Sequence, residues 1–143
     1  MNIPGAGAAG GIGGALGGVL GASMVQGIQK VLDISGLDSK LESCDIVITG
    51  EGRADAQTLR GKVPVGVLEY VRAHTVPVHR PKVILIAGQV SDRQQILNAG
   101  FDAVLQITPE GMPLSEALDP VTASANITQS MQSYLQQRCS GEK

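Results

Sequence analysis

Aromatic side chains are almost missing: among 143 residues there is no Trp, and Tyr70, Phe101 and Tyr134 make up 2% of the chain. Stacking platforms of the kind that hold single-stranded nucleic acid are therefore excluded. Charge is sparse too, at 17%, and 11 basic against 13 acidic residues leave a formal net charge of -2. With no positive field to attract polyanions, a nucleic-acid partner is not expected. Cysteine is limited to Cys44 and Cys139, far apart in the chain. That provides neither a disulfide framework nor a zinc-ligand spacing, and no basic signal-peptide start precedes them, so a reducing cytoplasm is the expected setting. Cys44 reads as a small packed hydrophobe and Cys139 as part of a polar tail.

What the chain does have is aliphatic bulk and glycine. Hydrophobic residues reach 43%, enough apolar surface to offset chain entropy, and the length suits one folded domain. Nine of the 19 glycines fall between Gly5 and Gly21, inside a stretch, Met1 to Gln29, that carries no charged side chain. Its length and its GxxxG spacings (Gly14 with Gly18, Gly17 with Gly21) raise the question of a membrane span. Gly and Ala contribute little transfer energy, however, and anchoring aromatics and cations are missing at its flanks, so no membrane partner is expected. The reading adopted is a turn at Pro4–Gly7 followed by a helix over Ala8–Met24 that lets another backbone approach closely.

From Asp45 onward, β-branched runs alternate with helical patterns. Asp45–Thr49, Lys82–Ala87 and Ala103–Ile107 are continuous apolar runs, as expected of parallel strands covered on both faces. Between the first two, Pro64–His74 carries Val67, Leu68 and Val71 at helical spacing. Ser91 or Asp92 is placed to cap a short helix with Ile96 and Leu97. Asp119-Pro120 opens a last helix with Ala123, Ile127, Met131 and Leu135 in one stripe. The fold class predicted is α/β: a parallel sheet of at least three strands with flanking helices, preceded by a glycine-rich loop and helix. Right-handed crossovers then bring Gly50–Thr58, Gly88–Ser91 and Thr108–Met112 to one sheet edge, the edge where open α/β sheets bind ligands.

The first of these segments is the most polar. Glu51, Arg53, Asp55, Gln57 and Thr58 follow a buried run, and Gly50 and Gly52 permit positive φ, which would let backbone N–H groups face an anion. Arg53 suits a phosphate or carboxylate, and Asp55 or Glu51 suits a hydroxyl proton or Mg²⁺. A purely local Arg53–Asp55 pair is the plain alternative. Gly61-Lys62 is not a Walker A motif, since Ala56 and Val63 stand where that motif needs Gly and Ser or Thr. Gln89 is a secondary contact candidate, and His74 and His79 read as surface residues at the opposite edge.

The strings IVITGEGRADAQTLRGK (Ile46–Lys62) and PGAGAAGGIGGAL (Pro4–Leu16), in that order, resemble the bacterial glycerate kinase family that phosphorylates D-glycerate with ATP. Val31-Leu32-Asp33 and Gly36-Leu37-Asp38 between them match too. The resemblance runs through the chain to its final helix, yet members are more than twice as long, so it covers their C-terminal part. It implies a two-domain kinase in which residues 1–43 resemble the end of an inserted domain and 44–143 the C-terminal half of a Rossmann-like domain. ATP and Mg²⁺ are implied as cofactors and glycerate as substrate. Arg53 is expected to grip the substrate carboxylate or the transferred phosphoryl group, with Asp55 as base or metal-facing acid and Glu51, Gln57 and Thr58 in support. Lys62 would balance phosphate charge, while Gly5, Gly7, Gly10 and Gly11 would form an anion-cradling loop. With half of the cleft supplied from elsewhere, the chain alone is expected to be inactive and to self-associate or pair with the N-terminal part. A non-catalytic phosphate- or carboxylate-binding module is the alternative.

Overall fold

The structure is a computed structural model that describes residues 7–141. Pro4, Gly5 and Ala6 of the expected turn lie outside the described residues, as does the side chain of Cys139. Three strands, β1 (Ile46–Ala54), β2 (Lys82–Val90) and β3 (Ala103–Gln106), form one sheet in the order β1-β2-β3. Both pairings are parallel, with Ile46 opposite Lys82 and Ile84 opposite Ala103. The α/β class and the adjacent parallel strands read from the β-branched runs are therefore observed.

Alternation along β1 assigns its two faces. Val47 and Thr49 are buried, while Ile48 between them is 49% exposed. Val47 shares its core with Val83, Leu85 and Ala87 of β2, Val104 of β3, and Val67, Leu68 and Val71 of α4 (Val63–His74). Each of the Val and Leu side chains contributes about 1.5–3 kcal/mol when fully buried. Pro64 sits in the first turn of α4, where its missing N–H costs nothing, and all but one of the residues Pro64–Val71 are buried. The helix α2 (Gly27–Ser35) and the short α3 (Leu37–Leu41) pack on α4, contributing Ile28, Leu32, Leu37 and the fully buried Leu41 to the same core.

Two corrections concern lengths. The helix expected over Ala8–Met24 is a 3₁₀ turn (Ala8–Gly11) and then α1, Ile12–Leu20 only. Gly21 adopts φ 65°, and its N–H bonds back to Leu16 O, which closes the helix in a left-handed cap. Strands β1 and β2 in turn run on past Thr49 and Ala87, so Gly50–Ala54 and Gly88–Val90 are strand rather than loop. A parallel ladder is made by backbone groups, which polar side chains do not interrupt.

Of the remaining elements, α5 (Arg93–Asn98) leads into β3, and α6 (Leu114–Ala117) precedes α7 (Pro120–Gly141). Asp119 accepts from Thr122 N at 2.9 Å and from Thr122 Oγ1 at 3.1 Å. These bonds hold its carboxyl below the ordinary carboxylate range. Ala123, Ile127 and Met131 are half-buried on the expected stripe, whereas Leu135 is exposed. Among the described residues no helix is long and apolar enough to cross a membrane.

The seat of α2 on α4 depends on Gly66, because a Cβ built there would lie 2.5 Å from Ile28 Cγ2 and 2.7 Å from Cγ1. Ile is stiff at χ1, so the clash is relieved by moving the helix. Gly66→Ala is expected to lower unfolding free energy by about 1–3 kcal/mol in a denaturant titration. An unchanged midpoint would mean that α2 does not sit on α4.

Candidate active site

The carboxyl ends of β1 and β2 carry the polar residues. Arg53 lies opposite Gln89 and Ala54 opposite Val90, and the ladder continues as Ser91 N donates to Ala54 O at 2.8 Å. Gly50 and Gly52, which would permit positive φ, are instead extended strand residues. What the glycines provide here is proximity. A Cβ at Gly88 would lie 2.7 Å from Gly52 O, and one at Gly50 would lie 3.1 Å from Ile86 Cγ1, so the two backbones close up only without side chains.

Beyond Ala54 the chain turns through Asp55–Gly61. Thr58 N donates to Asp55 O at 2.9 Å, and Asp55 Oδ1 accepts from Gln57 N at 2.8 Å, an Asx turn. Thr58 is 0% exposed. Its hydroxyl accepts from Asp55 N at 3.1 Å and donates to Glu51 Oε1 at 2.5 Å. Glu51 Oε2 lies 3.7 Å from Lys62 Nζ, and Arg53 Nε lies 3.8 Å from Asp55 Oδ2. The Arg53 side chain is 67% exposed, so that pair is a weak one and leaves the guanidinium accessible.

Asp92 stands at the N-cap position of α5, as the sequence suggests, but its side chain makes no capping bond. Its Oδ2 accepts from Ala56 N at 3.2 Å, 36 residues away, which ties the turn after β1 to the turn after β2. Asp92 adopts φ 50°, a left-handed conformation that Asp tolerates better than most residues. Gln106 makes the corresponding tie to the third segment, accepting from Val90 N at 3.1 Å and donating to Thr108 O at 3.0 Å.

Two cavities flank this edge and share no lining residue. One, of about 750 Å³, is walled by Gly50, Glu51, Arg60, Gly61, Lys62, Val63 and Pro64, with Gln26, Gly27 and Ile28 from the start of α2. The other, of about 310 Å³, is walled by Arg53, Gln89, Ser91, Gln106 and Thr108 together with Pro109–Met112. The structure thus brings Gly50, Glu51 and Lys62 together and places Arg53 with Gln89. Gly7, Gly10, Gly11, Gly52, Asp55, Gln57 and Thr58 line neither cavity. Thr108 belongs to the third segment expected at this edge, whereas Arg60 and Gln106 join the site beyond the sequence expectation. Arg60 stands two residues before Lys62, a cation pair just ahead of a helix start that could have been found. Gln106 lay inside a strand run, where nothing signals that its side chain bridges two loops. His74, by contrast, stacks on Tyr70 at 3.9 Å between ring centroids, and His79 lies in the 3₁₀ turn before β2, both away from this edge.

Gly88→Ala is expected to prise apart the ends of β1 and β2 and to cost about 1–3 kcal/mol of stability, whereas Gly52→Ala, with nothing within 4 Å of its Cβ, costs less. Thermal unfolding of the two variants side by side checks the contrast. Equal losses would show that close backbone approach is not what position 88 requires.

The model of the Glycerate kinase family matches residues 1–137. Glycerate kinase of Bacillus cereus is 47% identical over 116 residues, and glycerate 2-kinase of Escherichia coli 42% over 117. These alignments cover 80% and 81% of this chain and 29% of each relative, so the chain spans under a third of their length. A crystal structure assigned to glycerate kinase 2 of Salmonella typhimurium LT2 superposes with a TM-score of 0.63 at 34% identity, covering 95% of this chain and 33% of that one. A match along almost the whole chain, together with a polar cluster at the carboxyl edge of a parallel sheet, shows that the chain belongs to the glycerate kinase family.

Proposed function

We propose that this chain supplies part of the active site of an ATP-dependent kinase that phosphorylates D-glycerate. The observation that carries the reading is the gathering of Arg53, Arg60 and Lys62 with the carboxylate of Glu51 where β1 ends, in a chain otherwise poor in charge. Phosphoryl transfer needs cations to neutralise phosphate oxygens and groups to position the hydroxyl, with little covalent chemistry from the protein. Lys62 and Arg60, in one cavity, suit the phosphates. Arg53, exposed in the other, suits the carboxylate of glycerate or the transferred phosphoryl group. Gln57 and the N-terminal glycines, Gly5 to Gly11, are proposed as further contacts for these anions.

Mg²⁺ is ordinarily held through one or two carboxylates plus substrate phosphates. The donor set fits that mode: no group of three His, Cys, Asp or Glu that could hold a metal ion exists among the described residues, but the carboxylate of Glu51 stands at the wall of the cavity that holds Lys62 and Arg60. The ion would supply charge neutralisation at the transferred group. The cytoplasm, where ATP is supplied, is the proposed place of work.

The remainder of the cleft is proposed to come from the portion of the family's sequence beyond this chain. Among the described residues β1 pairs only with β2, so its outer edge is available to a further strand, and the 49% exposed Ile48 marks a sheet face open to a covering element. Ile12, Leu16, Val19 and Leu20 of α1 and Val31 and Ile34 of α2 are exposed as well, an apolar surface that calls for cover. On its own the chain is expected to self-associate or to unfold non-cooperatively. Sedimentation at micromolar concentration showing a compact, cooperatively folding monomer would contradict this.

The catalytic reading is tested in the complete enzyme. Arg53→Ala is expected to lower ATP-dependent phosphorylation of glycerate by about a hundredfold or more, the scale of losing one positioned charge, with unfolding temperature unchanged. Kinetic constants within about threefold of wild type would reduce the segment to a structural turn.

A further inference from the structure

We infer that Glu51, rather than Asp55, is the carboxylate this site presents to its ligand, and that Thr58 is the residue that positions it. The inference rests on the kinase reading above and assigns roles within it. Thr58 was expected from sequence to support the ligand directly, yet it has no exposed surface. Its hydroxyl is already used in both senses, as acceptor from Asp55 N at 3.1 Å and as donor to Glu51 Oε1 at 2.5 Å. A ligand reaching for that hydroxyl would have to open the turn and leave a buried group without its partner.

What Thr58 does instead is hold one oxygen of Glu51. The carboxylate is only 14% exposed and loses its freedom to swing once Oε1 is fixed. Its second oxygen lies 3.7 Å from Lys62 Nζ, and both residues wall the cavity of about 750 Å³. The result is a carboxylate oxygen and an ammonium held side by side at one cavity wall, the pairing needed to face a hydroxyl or a cation on one side and phosphate oxygens on the other.

Asp55 is placed differently. Its Oδ1 accepts from Gln57 N at 2.8 Å, its Oδ2 faces Arg53 Nε at 3.8 Å, and the residue lines neither cavity. Asn would keep the Oδ1 acceptor, so the turn survives Asp55→Asn. The same substitution of amide for acid at position 51 removes the charge from the cavity.

The experiment is steady-state kinetics of the complete enzyme with glycerate and ATP, each variant checked by thermal unfolding. Glu51→Gln is expected to lower kcat by about a hundredfold or more, while Asp55→Asn stays within about threefold of wild type. Thr58→Val, nearly isosteric but without the hydroxyl, is expected to lower kcat by about tenfold or more with KM changed by less than about threefold, because the ligand does not touch Thr58. Thr58→Ser, which keeps the donor, should restore kcat to within about threefold. Thr58→Ala removes the same donor with no γ-methyl to accommodate and serves if the Val variant fails to fold. Three results would overturn the inference: full activity in Thr58→Val or Thr58→Ala, equal losses in Thr58→Ser and Thr58→Val, or Asp55→Asn as damaging as Glu51→Gln. Arg53→Ala, measured alongside, separates the two levels. If it too keeps full activity the kinase reading falls as well, whereas if it alone is impaired only the assignment of Glu51 and Thr58 falls.

Discussion

The site depends on a backbone contact, the parallel ladder between β1 and β2 that continues past the hydrophobic core to Ala54 and Val90. In its first half the strands are held from the side by Val47, Val83 and Leu85 against α4. In its second half, Gly50, Gly52 and Gly88 give no such packing, and what joins the strands is their own N–H and C=O groups at close approach. A strand so extended is a rigid mount. Glu51 and Arg53 project from it with far less freedom than the same residues would have on a loop, and preorganised charge is the form of charge most useful to a phosphoryl-transfer site.

Beyond the ladder, three side chains do what strand pairing cannot. Thr58 folds the turn after β1 back onto Glu51, Asp92 ties that turn to the one after β2, and Gln106 ties β2 to the segment after β3. Each bond joins a side chain to a backbone group or to another side chain across a loop, so the three sheet-edge segments are held as one surface. Loops at the carboxyl edge of α/β sheets usually carry the variable chemistry of the fold. Here the charged chemistry starts within the strand, and the loops fix its geometry.

Much of this was legible in the sequence, for identifiable reasons. The β-branched runs gave strand identity and parallel pairing because short continuous apolar runs have few other ways to be written, but cover on both faces, expected of all three, does not hold for β1, where Ile48 is 49% exposed. The polar residues at the end of β1 stood out because so little of the chain is charged. The strand ends have no local signature, since Gly-Glu-Gly-Arg has the composition of a loop and only the partner strand shows that its backbone is paired. The end of α1 at Leu20 is hidden in the sequence because the left-handed cap at Gly21 is one glycine among many. The role of Asp92 was half visible: its place before α5 could be read locally, but its carboxylate reaches a residue 36 positions away, and such a contact has no local signature. The same holds for Thr58, whose burial is a property of the folded turn.

The central claim is that the extended end of β1 is where the family's substrates meet this chain. A crystal structure of the complete enzyme with glycerate and a non-hydrolysable ATP analogue tests it most directly. The account predicts that ligand oxygens lie within hydrogen-bond distance of the Arg53 guanidinium and the Lys62 ammonium, with the β1–β2 ladder intact through Ala54 and Val90. Ligands bound with no contact to Gly50–Lys62 would contradict it.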